Sequence, residues 1–244
     1  MTSEVDICNQ ALSLIGTRST IASLSENSAE AAQCSIHYYP ARDSLLRMHN
    51  WSFARRQVVL GLIAAAANTA ENPSGNPPLP LLPWDYEYAL PPDCLRVRRL
   101  LPPFAAGSPL AGPALPQRQF PYTISADLDT GGNTIKVLLT NLSKAALVYT
   151  ARITTVDVCD AEFQDALVMS LASRLVGPLT GDKQLAQEFG AKAQAAIQTA
   201  AGIDGSEEPA RQNHMPDWIR ARGFSADLTY EDADLAIINA VLTV

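Results

Sequence analysis

The sequence YYPARDSLLRMHNWSFARRQVVL, residues 38–60, is the stretch on which the organisation of the chain depends. It begins with apolar residues at helical spacing and then reaches Asn50, a weak helix former. Trp51 and Phe53 follow at a spacing of two, which predicts one face of an extended segment. Side chains of this size bury a large area. We therefore expect Trp51 and Phe53 to be structural anchors rather than catalytic groups.

Charge is unevenly distributed along the chain. The 244 residues, enough for one or two domains, include 18 basic and 25 acidic residues, a net charge of −7. From Asp204 onward there are 8 acids against 3 arginines, or −5, which leaves 17 acids against 15 basic residues, or −2, for residues 1–203. This balance is not typical of a basic DNA-binding domain. It indicates a nearly neutral body followed by an acidic tail.

Four segments have helical periodicity. The first helix begins with Ser3 and Asp6, which form a capping box, and it ends at Gly16. The second opens in the same manner at Asn27–Glu30. The third starts at Asp160 and is expected to end at Gly177-Pro178, and the fourth follows an N-cap at Asp182 and ends before Gly202.

Two proline-rich segments separate the helical pairs. Residues 68–83 contain five prolines and residues 102–121 contain six, and neither helices nor central strands tolerate such runs. Alternating aromatic residues at Trp84, Tyr86 and Tyr88 predict a strand with the intervening acids on its other face. A hairpin is predicted at 122–126 and 134–139, and a further strand at 145–153.

These segments predict an α+β fold. Because each helix has one apolar face to bury, we expect a four-helix bundle built from the N- and C-terminal halves. A small antiparallel β domain is inserted into it, and an extended C-terminal tail follows. The expected boundaries are 1–67 for the first half of the bundle, 68–156 for the β domain, 157–203 for the second half and 204–244 for a docking tail.

No motif predicts catalysis, a cofactor or a metal. The four cysteines include no C-x-x-C pair, and the three histidines form no ligand motif. Asp129-Thr130-Gly131 matches the aspartic-protease triplet, but that chemistry needs two aspartates, and the following glycine and asparagine predict a turn. There is no signal peptide, and the longest apolar run, Val58–Ala67, is too short to span a bilayer. We expect a soluble protein from a reducing compartment, with no membrane partner.

Candidate interface residues occur in two arginine groups and in the tail. Arg42, Arg47, Arg55 and Arg56 form one group, and Arg96, Arg98 and Arg99 form the other. Arginines are usually solvated surface groups, but the acidic tail favours docking between subunits or onto a partner. The tail also carries apolar and cationic residues that are typical of interface anchors. These residues are Trp218, Arg220, Arg222, Phe224, Ile237, Ile238 and Leu242.

Four stretches resemble a known family, the head-to-tail adaptor of short-tailed phages, also called tail tubular protein A. They are EVDICNQAL at residues 4–12, the segment 42–60 with its W-x-F-A-x-R core, YALPPDCLR at 88–96, and FQDAL at 163–167 with the helices behind it. Trp218–Arg222 is similar to the C-terminal W-x-x-A-R of the family. The two proline-rich segments depart from the family pattern.

The resemblance implies a structural virion protein at the head-tail junction, made in the bacterial cytoplasm. It implies a homo-oligomeric ring, expected to be a dodecamer, that joins the portal protein to the tail nozzle protein, lines the passage for duplex DNA and has no catalysis of its own. A second hypothesis is a virion-associated glycan hydrolase that acts on host surface polysaccharide. A third is a monomeric regulatory binding module.

Overall fold

The computed structural model describes residues 3–102, 120–128 and 132–207. Within these residues, two α-helices precede a run of seven strands, and two α-helices follow it. The helices are α1 (Glu4–Leu14), α2 (Ala29–Met48), α3 (Ala161–Thr180) and α4 (Lys183–Glu207). The strands are β1 (Arg55–Val59), β2 (Gly61–Ala65), β3 (Tyr86–Ala89), β4 (Cys94–Leu101), β5 (Tyr122–Leu128), β6 (Thr134–Thr140) and β7 (Ala146–Ala151).

The capping box predicted at Ser3 and the N-cap predicted at Asp182 are confirmed, whereas the N-cap of α2 is Ser28 and not Asn27 of the predicted Asn27–Glu30 box. Ser3 Oγ accepts from the Asp6 amide at 3.1 Å, and the Asp6 carboxylate accepts from the Ser3 amide at 2.8 Å, so both halves of the capping box are present. Ser28 Oγ accepts from the Ala31 amide and caps α2. Asp182 Oδ1 accepts from the amides of Gln184 and Leu185 at the start of α4. These bonds satisfy amides that would otherwise lack partners in the first turn.

The predicted ends of α3 and α4 are wrong. Helix α3 continues through Pro178 to Thr180 and ends where Gly181 adopts a positive φ of 69°. A proline removes the hydrogen bond to the residue four before it, but the residues after it can remain helical. Helix α4 likewise runs past Gly202 to Glu207. A single glycine raises the free energy of a helix by only about 1 kcal/mol.

The strands form two antiparallel sheets. The first sheet has the order β1-β7-β4 and the second has the order β2-β3-β6-β5. Strand β7 is central in the first sheet and is buried at every residue, with Tyr149 between Arg56 of β1 and Val97 of β4. The predicted hairpin is confirmed as β5 and β6, which pair from Tyr122 opposite Thr140 to Leu128 opposite Thr134.

The prediction of a four-helix bundle with a small inserted β domain is therefore wrong, although the mixed α+β class is partly right. The strands begin at Arg55, inside the segment predicted to be helical, and they form two sheets. Helix α3 packs against both α1 and α2, and α2 also contacts β4. Helix α4 buries a narrow face of Phe189, Ala193 and Ala200. One apolar core joins residues of all four helices to residues of both sheets, because the helices bury their faces against strands as well as one another.

Trp51 lies in this shared core, as predicted. Its side chain is 1% exposed, and its Nε1 donates to the Leu45 carbonyl at 3.0 Å. The Trp51 ring packs edge-to-face against Phe163 of α3 at a centroid distance of 5.0 Å. Phe53 is half-buried and also packs on Phe163, at 5.0 Å. The extended conformation predicted for this segment is wrong, because the Ala54 amide donates to the Trp51 carbonyl in a turn and β1 starts only at Arg55.

The chain divides into two compact units, Met1–Gly205 and Ser206–Val244. The first unit contains the elements above up to the last turn of α4. Of the second unit, only the first two residues are among those described.

Candidate interaction surfaces

The tail residues predicted to bind a partner lie outside the described residues. They are Trp218, Arg220, Arg222, Phe224, Ile237, Ile238 and Leu242. Asp129-Thr130-Gly131 lies outside them as well.

Arg55 and Arg56 are placed on an exposed edge strand. All five residues of β1 are exposed, and among the described strands β1 pairs with β7 alone. Arg56 Nη1 forms an ion pair with Asp93 Oδ2 at 2.8 Å, and the Tyr149 hydroxyl donates to the other oxygen of Asp93 at 3.1 Å. An unprotected edge strand presents backbone groups that a second chain can pair with. Strand β1 is thus a candidate contact surface.

The predicted arginine groups are divided between structural and surface roles. Arg42 is 6% exposed and its guanidinium binds Asp43 at 2.9 Å, so it belongs to the core of the unit. Arg98 donates to the Trp51 carbonyl at 2.6 Å and to Thr150 Oγ1 at 2.9 Å. Arg98 therefore ties β4 to the turn that holds the central tryptophan.

A basic groove lies between the outer strands of the two sheets, with a volume of about 500 Å³. On the β4 side it is lined by Arg96, Arg98 and Arg99, and on the β5 side by Phe120, Pro121 and Tyr122. Arg96 is exposed and donates to the Arg47 carbonyl at 3.1 Å. Since its charged lining is cationic, this groove is suited to an acidic partner.

A second groove, the helical groove, lies between α1, α3 and α4 and has a volume of about 610 Å³. In the part of the chain that the structure describes, two charged side chains line it, and both are acidic, Glu162 and Asp165 of α3. Its apolar lining includes Leu14, which is 43% exposed. Sequence patterns did not indicate this groove, because its lining comes from three helices that are distant in the chain.

Asp204 has a structural role, although the charge distribution of the sequence placed it at the start of the acidic tail. It is 6% exposed, near the end of α4. One carboxylate oxygen contacts His49 Nε2 at 3.1 Å and the other accepts from the Ser52 amide at 2.8 Å. It thus joins α4 to the residues on either side of Trp51. No local pattern could identify it, because its partners lie 152 and 155 residues away.

Glu87, an acid that alternates with Tyr86 and Tyr88 in β3, is buried. It is 1% exposed, between the buried residues Ala64 of β2 and Leu139 of β6. Neither of its carboxylate oxygens has a hydrogen-bond partner among the described residues. Burial raises the pKa of Glu87 to about 7, and the neighbouring Asp127 carboxyl adds to the shift. The group is therefore largely protonated in mildly acidic solution.

The described residues contain neither a candidate metal site nor a helix that could span a membrane. No cluster of three or more acidic, histidine or cysteine side chains in these segments has an arrangement that could hold a metal ion. None of the helices found there is both long and apolar enough to span a membrane. No protein-family model matches this chain, and no curated protein matches it.

Proposed function

We propose that this chain is a structural virion protein, a ring-forming adaptor that joins the portal protein to the tail nozzle protein of a short-tailed phage. Duplex DNA passes through the ring without specific binding, and the chain has no catalysis of its own. The proposal places the protein at the head-tail junction of the virion.

The observation that carries the proposal is the convergence of the four stretches that resemble the adaptor family. Glu4 of the first stretch lies 3.9 Å from Arg42 of the second. Arg56 of the second is paired with Asp93 of the third at 2.8 Å. Trp51 of the second packs on Phe163 of the fourth. The four stretches are far apart in the sequence but contact one another in the folded chain. These contacts support reading them as one motif.

Surface features also support assembly into a ring. Heterologous contacts close a ring when one face of a subunit complements a different face of the next. The unit has a basic groove between β4 and β5, an acidic groove between helices, and an exposed edge strand. These are different, non-self-complementary surfaces, as a heterologous contact requires.

Native mass measurement of the full chain, alone and with its portal, tests the proposal. We expect an assembly near twelve times the 26.2 kDa of one chain, formed alone or on the portal ring. A chain that stays monomeric beside the portal at micromolar concentration would contradict it and would favour the binding module.

The glycan hydrolase stays as the alternative hypothesis. Glycoside hydrolysis needs two carboxyl groups that flank the bond to be cleaved. A turnover assay of the purified assembly on capsular polysaccharide separates the two functions, since an adaptor releases no reducing sugar above the level of a heat-denatured control.

A further inference from the structure

The helical groove has an apolar floor and an acidic rim. Val168 of α3 and Ala200 of α4 are buried at its base, and Met169 is half-buried beside them. On the α4 side the groove is lined by the small residues Ala196, Thr199 and Ala200. The volume of about 610 Å³ is typical of a ligand-binding cleft. Leu14 at its edge is an apolar side chain that is 43% exposed.

We propose that this groove receives the segment Trp218–Arg222 of a neighbouring copy of the chain. The inference rests on the proposed function, because it requires copies that lie side by side. Trp218 would fill the apolar floor, and Arg220 and Arg222 would pair with the carboxylates at the rim.

Charge complementarity selects this segment. Among the described residues, the charged side chains that line the groove are Glu162 and Asp165, both exposed, so acidic segments are repelled by this part of the lining. The five residues Trp218–Arg222 contain one tryptophan and two arginines. Trp218 is the last tryptophan in the sequence. Arginine forms paired hydrogen bonds with carboxylates, and tryptophan and arginine contribute most of the binding energy in many interfaces.

The length of the connecting chain allows contact with a neighbouring copy. Ten residues separate Glu207, the last residue of α4, from Trp218, and they span up to about 35 Å when extended. Pro209 and Pro216 favour extended backbone at the residues before them. Ala200, where α4 lines the groove, lies about 10 Å before the end of the helix. The reach of the connection exceeds this distance about threefold, so its length is sufficient for the groove of a neighbouring copy, and the isotope labels in the test below distinguish that groove from the chain's own.

Photo-crosslinking of the full chain tests the inference. A photoreactive p-benzoylphenylalanine replaces Leu14 in copies with natural isotopes, and these are mixed with copies labelled with ¹⁵N before irradiation and trypsin digestion. The expected product joins residue 14 to the peptide Gln212–Arg220, which contains Trp218, and it carries both isotope labels. The matched control places the same group at Ile36, an apolar residue of α2 that is 58% exposed and lies outside the groove. It should give no such product.

Charge exchange supplies a second readout. Asp165→Arg should lower the yield of the Leu14 product about tenfold, because like charges that face each other across an interface are strongly unfavourable. Adding Arg220→Asp to the same chain should restore the yield, with the crosslinked peptide now Gln212–Arg222 because trypsin no longer cuts at residue 220. The control Glu188→Arg reverses an exposed acid of α4 outside the groove lining, and it should leave the yield unchanged.

The native mass of the same samples separates failure of this inference from failure of the proposed function. An oligomer that gives no product with Gln212–Arg220 would overturn the groove assignment and leave the ring intact. A product within single copies, with no mixed labels, would overturn docking between neighbours. A chain that remains monomeric at all concentrations would overturn the ring and the inference together.

Discussion

Replacing Trp51 by alanine tests the central packing contact of the fold. The side chain is 1% exposed, and it packs edge-to-face with Phe163 and with His49, each at 5.0 Å. Truncating a buried aromatic residue costs about 3–5 kcal/mol. The substitution also removes the two edge-to-face ring contacts and the hydrogen bond from Nε1 to the Leu45 carbonyl. We therefore expect a cost towards the upper end of that range.

The expected change is large enough to measure in a unit of this size. At about 2–4 °C per kcal/mol for 150–250 residues, a loss of about 4 kcal/mol lowers Tm by roughly 8–16 °C. Denaturant titration followed by far-UV circular dichroism gives the free energy of unfolding without relying on the fluorescence of the removed tryptophan.

Two control variants show which part of the contact matters. Trp51→Phe keeps an aromatic ring but loses the hydrogen bond, so it should cost about 1–2 kcal/mol. Trp84→Ala makes the same truncation at a half-buried position, and it should cost less than Trp51→Ala. A loss below about 1 kcal/mol for Trp51→Ala would refute the reasoning, because no buried aromatic anchor would be that easily replaced.

Three further predictions concern other parts of the chain. The pKa of Glu87 is raised in the folded protein from 4.5 to about 7, so its contribution to stability is present below pH 4.5 and is lost as the pH rises through 7. Unfolding titrations of the wild type and Glu87→Gln should therefore differ in slope, with the variant losing less stability between pH 5 and pH 8. Asp204→Ala should cost about 1–3 kcal/mol in denaturant titrations, because the Ser52 amide loses its acceptor. The control Glu188→Ala removes an exposed acid of α4 that forms only an i,i+4 pair with Lys192 among the ion pairs of the described residues, and it should cost about 0.5 kcal/mol or less. Assembled rings should show no salt-sensitive, sub-micromolar binding of duplex DNA in fluorescence anisotropy, because DNA that slides cannot be held by strong phosphate contacts and residues 1–203 carry a net charge of −2.

Each of these has an outcome that contradicts it. Equal pH slopes for the wild type and Glu87→Gln would mean that Glu87 is charged in the folded state. An unchanged unfolding free energy for Asp204→Ala would mean that α4 is not held to the Trp51 turn by this residue. Tight DNA binding that weakens as salt rises would contradict a passage through which DNA slides freely.

Local chemistry determined the parts of the fold that sequence patterns predicted correctly. The cap at Ser3, the cap at Asp182 and the pairing of β5 with β6 each join residues that lie close together in the chain. The burial of Trp51 followed from the size of its side chain, whatever its partners. The acidic character of the segment after Asp204 likewise followed from composition alone.

Tertiary structure alone decided the strand pairing and the environment of the charged residues. Arg55–Val59 is a strand because it pairs with β7, which lies about 90 residues later in the sequence. The periodicity of residues 55–59 alone does not predict this pairing. Asp93 and Asp204 have the same chemistry as any surface acid, but Arg56 and the Ser52 amide bind them in the folded chain. Glu87 is buried because strands pack on both sides of it. The sequence determined which segments had an apolar face or a cap, and only the folded chain determined what each face would meet, because those contacts join residues far apart in the sequence.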